Sequence, residues 1–219
     1  MLKSVGGVKR DEPRRYRSAL RAELAERTRR AVVEAALVEF LEQGWAGATI
    51  DRIASRAGVS RPTVFAVGSK AALLTLARDR AIAGDDDPRA IAARPDYGAI
   101  AAAPDAEGAL RAFAAVSAGI VQRFAALEGV VRQGAVTDAD VAALRDVSDR
   151  ERLAGARGVV RTVAAKGPLR PGLDEAAAAD VLWLLMAPDQ YLRLTRDRGW
   201  SRRRFARWYA DTMVALLLP

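Results

Sequence analysis

The segment Thr49–Lys70 reads TIDRIASRAGVSRPTVFAVGSK, and its residue types are spaced for gripping a polyanion rather than for making and breaking bonds. Thr49, Ser60 and Ser69 each precede a short run with helical patterning, where a side-chain oxygen can cap a helix start. Ile50, Ile53 and Ala54 form the inner face of a helix over Ile50–Ala57, with Asp51 favourable near its positive end. Ala57 is small enough for a second helix to approach, and Gly58 supplies the backbone freedom of a turn. Val59 plugs the space between the two helices, and Val64 packs the second one down, from Arg61 to about Val67. Pro62 fits the first turn of that helix. Arg61 and Thr63 then point outward with Phe65 near them, as a helix needs to do if its N-terminal half is to reach base edges. The plain alternative is an ordinary two-helix hairpin. A helix placed before this unit, the Ser69-Lys70 helix start after it and the local charge all weigh against that alternative.

Other chemistry is excluded by composition. The chain has 0 Cys and 0 His, so thiol nucleophiles, disulfides, imidazole bases and His- or Cys-ligated metals are ruled out. The acidic run Asp138, Asp140, Asp146 and Asp149 could pass for paired carboxylates, but with Arg145, Arg150 and Arg152 interleaved it suits a solvated helix face. We therefore expect no enzyme, no metal and no cofactor.

The net charge is +8, and nearly all of it lies at the front: residues 1–80 hold 16 Lys and Arg against 9 Asp and Glu, and residues 81–219 hold 19 against 18. A basic front third and a near-neutral remainder suggest one part that meets nucleic acid and one with another task.

These residues must be positioned by helices. Hydrophobic residues make up 51% of the 219 and aromatic residues 6%, and 47 are alanine, the best helix former. We expect an all-α chain in three parts: a basic flexible arm at 1–17, a DNA-binding domain at 18–83 and a helical bundle at 84–219. The first helix runs from about Ser18 or Arg21 to Gln43, with Val33, Ala36, Leu37, Phe40 and Leu41 as its apolar stripe and Gly44 at its end. Further helices are expected at 70–80, 106–128, 129–135, 138–166, 174–198 and 201–218, with Pro188 kinking the 174–198 helix. No stretch approaches the ~20 apolar residues of a membrane span, and we expect no membrane partner and a cytoplasmic location.

The segment Arg27–Ala77 resembles the DNA-binding domain of TetR-family (TetR/AcrR-type) transcriptional regulators. The resemblance rests on Gly44, Thr49, Ile53-Ala54, Ala57-Gly58-Val59-Ser60, Thr63, Phe65 and Ser69-Lys70. A second likeness, to the last two helices of one TetR subgroup, lies in Ala179–Trp183, Pro188, Tyr191, Arg198-Gly199-Trp200-Ser201 and Trp208 through Leu216–Leu218. One departure stands out. The stretch Thr63–Lys70 is one residue shorter than the family pattern, and Phe65 replaces a Tyr that could donate to phosphate.

The resemblance implies an N-terminal helix-turn-helix, three-helix DNA-binding domain and a C-terminal ligand-binding and dimerisation bundle. It implies that Thr49, Ser60, Arg61, Pro62, Thr63, Phe65 and Lys70 face DNA. Thr49 and Lys70 would hold phosphates, Arg61 a phosphate or a guanine edge, Pro62 and Thr63 a thymine methyl, and Phe65 a sugar or base edge. It implies a pocket for a small-molecule effector, for which Phe113, Val116, Ile120, Phe124, Trp183, Met186 and Tyr191 are apolar candidates and Arg123 and Gln190 polar ones. It also implies a homodimer through the last two helices, on which Leu182, Leu185, Leu192, Trp208, Met213, Leu216, Leu217 and Leu218 are too many for one bundle to cover. A twofold dimer sets two reading heads ~34 Å apart on double-stranded DNA with a palindromic operator. The function expected is a repressor whose operator affinity changes with ligand; the alternative is a ligand-independent or architectural DNA-binding protein.

Overall fold

The computed structural model of the chain describes residues 12–84 and 95–219, and these are helical with no strand among them. The first helix, α1 (Glu12–Gly47), is bent at Gly44, whose backbone sits at φ 67°. Only glycine enters this region freely, so the regular helix stops where the sequence put its end. Its start is earlier than expected: residues 12–17 are helical rather than part of an arm, and residues 1–11 lie outside the described residues. Its inner face is also rotated. Val32, Val33, Ala35, Ala36 and Phe40 are buried, but Leu41 is exposed and Glu39 is buried instead.

Glu39 is buried because α2 (Ile50–Ala57) brings two cations to it. Arg52 Nε donates to Glu39 Oε2 at 2.8 Å, and Arg56 Nε donates to Oε1 at 2.7 Å. These two arginines clamp α2 to α1. Their hydrogen bonds, Arg52 first, hold the Glu39 carboxyl below the usual carboxylate range. A lowered folded-state pKa means that the contribution is full above the unfolded value, about 4.3, and drains away as pH falls through the lower folded value. Glu39→Gln is therefore expected to lower the urea midpoint at pH 7, with the gap to the parent chain closing in acid below about pH 4. A midpoint gap that stays constant from pH 7 to pH 3 would refute this.

Next come α3 (Arg61–Val67) and α4 (Lys70–Ala83). Then follow α5 (Pro95–Ala102), α6 (Ala106–Gly134) and α7 (Ala139–Ala164). The chain closes with α8 (Glu175–Leu185), α9 (Asp189–Leu192), a π-turn at Arg193–Asp197 and α10 (Arg202–Leu217). Two expectations are corrected. Residues 106–134 form one helix, since Gly129 has open space around it and interrupts nothing. Residues 174–198 are not one helix: α8 stops at Leu185, just before Pro188, which cannot donate the hydrogen bond that would carry it on.

Two apolar clusters hold the molecule together. One joins α5, α6, α7, α8 and α10 around Leu110, Phe113, Leu182, Phe205 and Tyr209. The other joins α1 to α4 around Phe40, Ile53, Val64 and Leu74, and it takes in Phe124, Leu127, Val130 and Val131 of α6 and Val141 and Leu144 of α7. Helix α6 thus runs through both. It is long and apolar enough by composition to cross a membrane, contrary to the sequence expectation, but it packs on α1, α4, α5, α7 and α10.

Trp45 closes the seam between the clusters. It stacks on Phe40 with ring centroids 6.0 Å apart. Its backbone N–H donates to Gln133 Oε1 of α6 at 2.9 Å, and a Cβ on Gly134 would stand 2.9 Å from its ring. The absence of a side chain at Gly134 is what lets the indole approach α6.

Candidate nucleic-acid interface and inner cavity

Three hydroxyl caps set the reading head. Thr49 Oγ1 accepts from Arg52 N at 3.3 Å, Ser60 Oγ from Thr63 N at 3.3 Å, and Ser69 Oγ from Ala72 N at 3.2 Å. Gly58 makes the turn between α2 and α3 at φ 66°, as the sequence requires. Val64 is fully buried and Val59 packs on the same cluster, so α3 is held from beneath. The opposite face is open: Arg61, Pro62 and Ala66 are exposed, Thr63 is half-buried, and Phe65 is 55% exposed. Thr63 Oγ1 lies 2.8 Å from Ser60 Oγ, which occupies its hydroxyl within the cap. Arg61 Nε lies 3.0 Å from Asp51 Oδ1, a pair exposed on both sides. Such a pair is cheap to open, so the guanidinium remains available to a phosphate or a guanine edge.

The short Thr63–Lys70 stretch has a structural explanation. Helix α3 ends at Val67, Gly68 is extended, and Ser69 already caps α4. A Cβ on Gly68 would stand 2.9 Å from the Ala72 Cβ, so glycine is needed for the close approach of backbone to α4 rather than for its φ. Lys70 is not a free cation. Its Nζ donates to the Trp45 carbonyl and lies 4.2 Å from the centre of the Trp45 ring, and burial lowers its pKa. Its ammonium thus sits in the seam beneath the reading head.

A second feature is a cavity of about 320 Å³ between α4, α5, α6, α7 and the break after α8. Of the expected pocket residues, Phe113, Ile120, Phe124 and Met186 line it. Val116, Arg123, Trp183, Gln190 and Tyr191 do not. Arg123 is turned to the end of α4, where its Nε and Nη2 donate to the Ala81 and Ile82 carbonyls at 3.0 and 2.9 Å. Trp183 Nε1 donates to the Asp149 carbonyl, and Tyr191 packs edge-on against Phe205 at 4.9 Å. The polar residues that do line the cavity include Arg78, Glu151 and Arg152, which sequence patterning missed. Pro188 lines it too, beside Met186, as expected of a helix break that opens space.

The acidic run of α7 has structural duties. Asp138 Oδ1 accepts from Asp140 N and Val141 N at the helix start, and Asp149 pairs with Arg152. No group of residues that could hold a metal occurs among the described residues.

Residues 32–75 match the family model for bacterial regulatory proteins of the tetR family. That segment carries a TetR-family DNA-binding domain. The match runs from within α1 to within α4 and takes in all three capped helix starts described above. Among curated proteins none matches the chain by sequence. Solved structures share the architecture of this chain well beyond the matched segment. NalD, the secondary repressor of the MexAB-OprM multidrug efflux pump in Pseudomonas aeruginosa, is 18% identical with a TM-score of 0.63, over 89% of this chain and 98% of that one. SmeT, solved with triclosan, is 18% identical with a TM-score of 0.65, over 88% and 92%. A Saccharomonospora viridis protein solved with choline is 19% identical with a TM-score of 0.68, over 89% and 99%. At these identities the likeness establishes the common fold.

Proposed function

We propose that this TetR-family DNA-binding regulator is a repressor that works in the cytoplasm as a homodimer on a palindromic operator and releases it when a small molecule fills the inner cavity. The observation that carries the reading is the pairing of an open, rigidly capped α3 with a partly open cavity whose wall includes Arg78 of α4. Helix α4 begins at the reading head and ends at the cavity, so a ligand that favours a different α4 position lowers DNA affinity by its differential affinity for the two states. The relatives solved with triclosan and choline support a ligand-responsive bundle. Thr49, Ser60, Arg61, Pro62, Thr63 and Phe65 are assigned to DNA, and Lys70 only through its position beneath the head.

Few of the residues first named for the dimer face are open to a partner. Leu182, Leu185, Met213, Leu217 and Leu218 are buried within their own bundle. The exposed apolar residues are Leu184 on α8 (65%) and Leu216 on α10 (43%). We assign these two to the twofold contact. The double change Leu184→Glu and Leu216→Glu is expected to give a monomer on gel filtration and to weaken operator binding, because one head loses the help of its twin. A dimer that survives both changes would remove α8 and α10 from the interface.

Selection of duplexes from a random pool at stated salt tests the core of the proposal. A palindrome is expected, with affinity falling linearly in log salt as counterions are released. Equal binding to every duplex would favour the architectural alternative.

A further inference from the structure

The polar groups lining the cavity are unequal in sign. Among the described residues two guanidiniums, Arg78 of α4 and Arg152 of α7, line it together with a single carboxylate, Glu151. Arg78 is 7% exposed; its Nη1 donates to Asp79 Oδ1 at 2.9 Å and its Nη2 to Glu151 Oε2. Arg152 donates through Nη2 to Asp149 Oδ1 at 2.8 Å and lies 4.9 Å over the Trp183 ring. On both arginines the Nε–H is buried and finds no acceptor among the described residues. A guanidinium is a planar fork of donors matched to the two oxygens of a carboxylate. Ser117, Ser148 and Tyr97 add hydroxyls, and Phe113, Ile120 and Phe124 give the cavity an apolar body.

We propose that the cavity takes a small amphipathic monoanion, an organic carboxylate whose acid group is held by Arg78 and Arg152 and whose hydrocarbon part lies on Phe113, Ile120 and Phe124. This rests on the ligand-responsive reading above and names the class of ligand. Asp79 and Asp149, which also pair with the two guanidiniums, do not line the cavity. Glu151, the one lining carboxylate among the described residues, is already bound to Arg78. The donors left facing the space are therefore the guanidinium N–H groups, which suit an anion rather than a cation. The choice also supplies a regulatory route. The Arg78–Glu151 pair ties α4 to α7, and an incoming acid competes with Glu151 for the same guanidinium. Binding therefore loosens α4, the helix that carries Ser69 and Lys70 at its other end.

Three probes of equal chain length separate the charge classes in calorimetric titrations of the full chain: decanoate, decanol and decyltrimethylammonium. Decanoate is expected to bind about tenfold or more tighter than either other probe. Arg152→Gln should cut that preference severalfold, weakening decanoate far more than decanol. Glu151→Gln should tighten decanoate by removing its competitor. Equal or tighter binding of decanol, tighter binding of the ammonium probe that Glu151→Gln weakens, or no binding of any probe would each overturn the proposal. The comparison on the parent chain decides even if a variant fails to fold. Operator affinity measured on the same samples separates the two claims. A chain that prefers decanoate yet holds its operator unchanged keeps the carboxylate site and loses the ligand-responsive reading. A chain whose operator affinity responds to decanol or the ammonium probe, but not to decanoate, loses only the carboxylate.

Discussion

A chain carrying Arg61→Ala and Thr63→Ala together is expected to bind its selected operator about a hundredfold or more weakly, with its melting temperature nearly unchanged. Each well-placed contact to a base edge is worth about 1–3 kcal/mol of discrimination, and tenfold in affinity is about 1.4 kcal/mol. Arg61 is exposed and held only by the surface pair with Asp51, so its removal costs the fold little. Thr63 is half-buried, but what its hydroxyl meets is the Ser60 hydroxyl, and the Ser60 cap on the Thr63 N–H survives the change to alanine. Fluorescence anisotropy with the operator and with a scrambled duplex checks the outcome. Loss on the operator with little change on the scrambled duplex identifies base readout. An equal loss on both would make Arg61 a backbone contact. Full retention of operator affinity would remove α3 from the major groove.

The largest effect on stability is expected at Trp45. Trp45→Ala deletes a buried indole, with loss of about 3–5 kcal/mol for a change of this kind. For a chain of this length that corresponds to a fall of roughly 6–20 °C in melting temperature. The indole is 8% exposed and sits between Phe40, Gly134 and the Lys70 ammonium. The substitution also leaves Lys70 without its ring while the carbonyl partner remains, so its ammonium regains hydration. Circular dichroism melts measure the first effect. Operator binding at a temperature where the variant is folded measures the second, and it should be weaker because α4 is no longer fixed beneath α3.

The reading head was legible in the sequence because its determinants are local. A hydroxyl before a helix start and a glycine at a left-handed turn act on neighbours only a few positions away, so Thr49, Ser60, Ser69, Gly44 and Gly58 stand where their types require. The burial of Val64 followed from the same short-range pattern. The exchange of Leu41 for Glu39 on the inner face of α1 was not legible, since it depends on two arginines from another helix. The cavity was half legible for a similar reason. Phe113, Ile120, Phe124 and Met186 could be picked from apolar faces, but a cavity and a core share composition. Tyr191 therefore passed the same test and proved to be core. Arg123 looked like the polar group of a pocket and instead caps α4, while Arg152 looked like a solvated-face charge and lines the cavity together with Arg78, which no sequence pattern singled out. Which way a long cation turns is decided by the acceptors that the tertiary fold brings near it.

Helix α6 turns the cavity and the Trp45 seam into the two arms of one lever. From Ser117 to Gln133 the rod runs about 24 Å at ~1.5 Å per residue. A tilt of about 5° pivoted near the cavity would carry Gln133 sideways by about 2 Å at that reach. Its 2.9 Å bond to the Trp45 N–H would not survive such a swing. An occupant no larger than a few carbon atoms could thus be felt at the far end as a latch let go, without any helix having to melt.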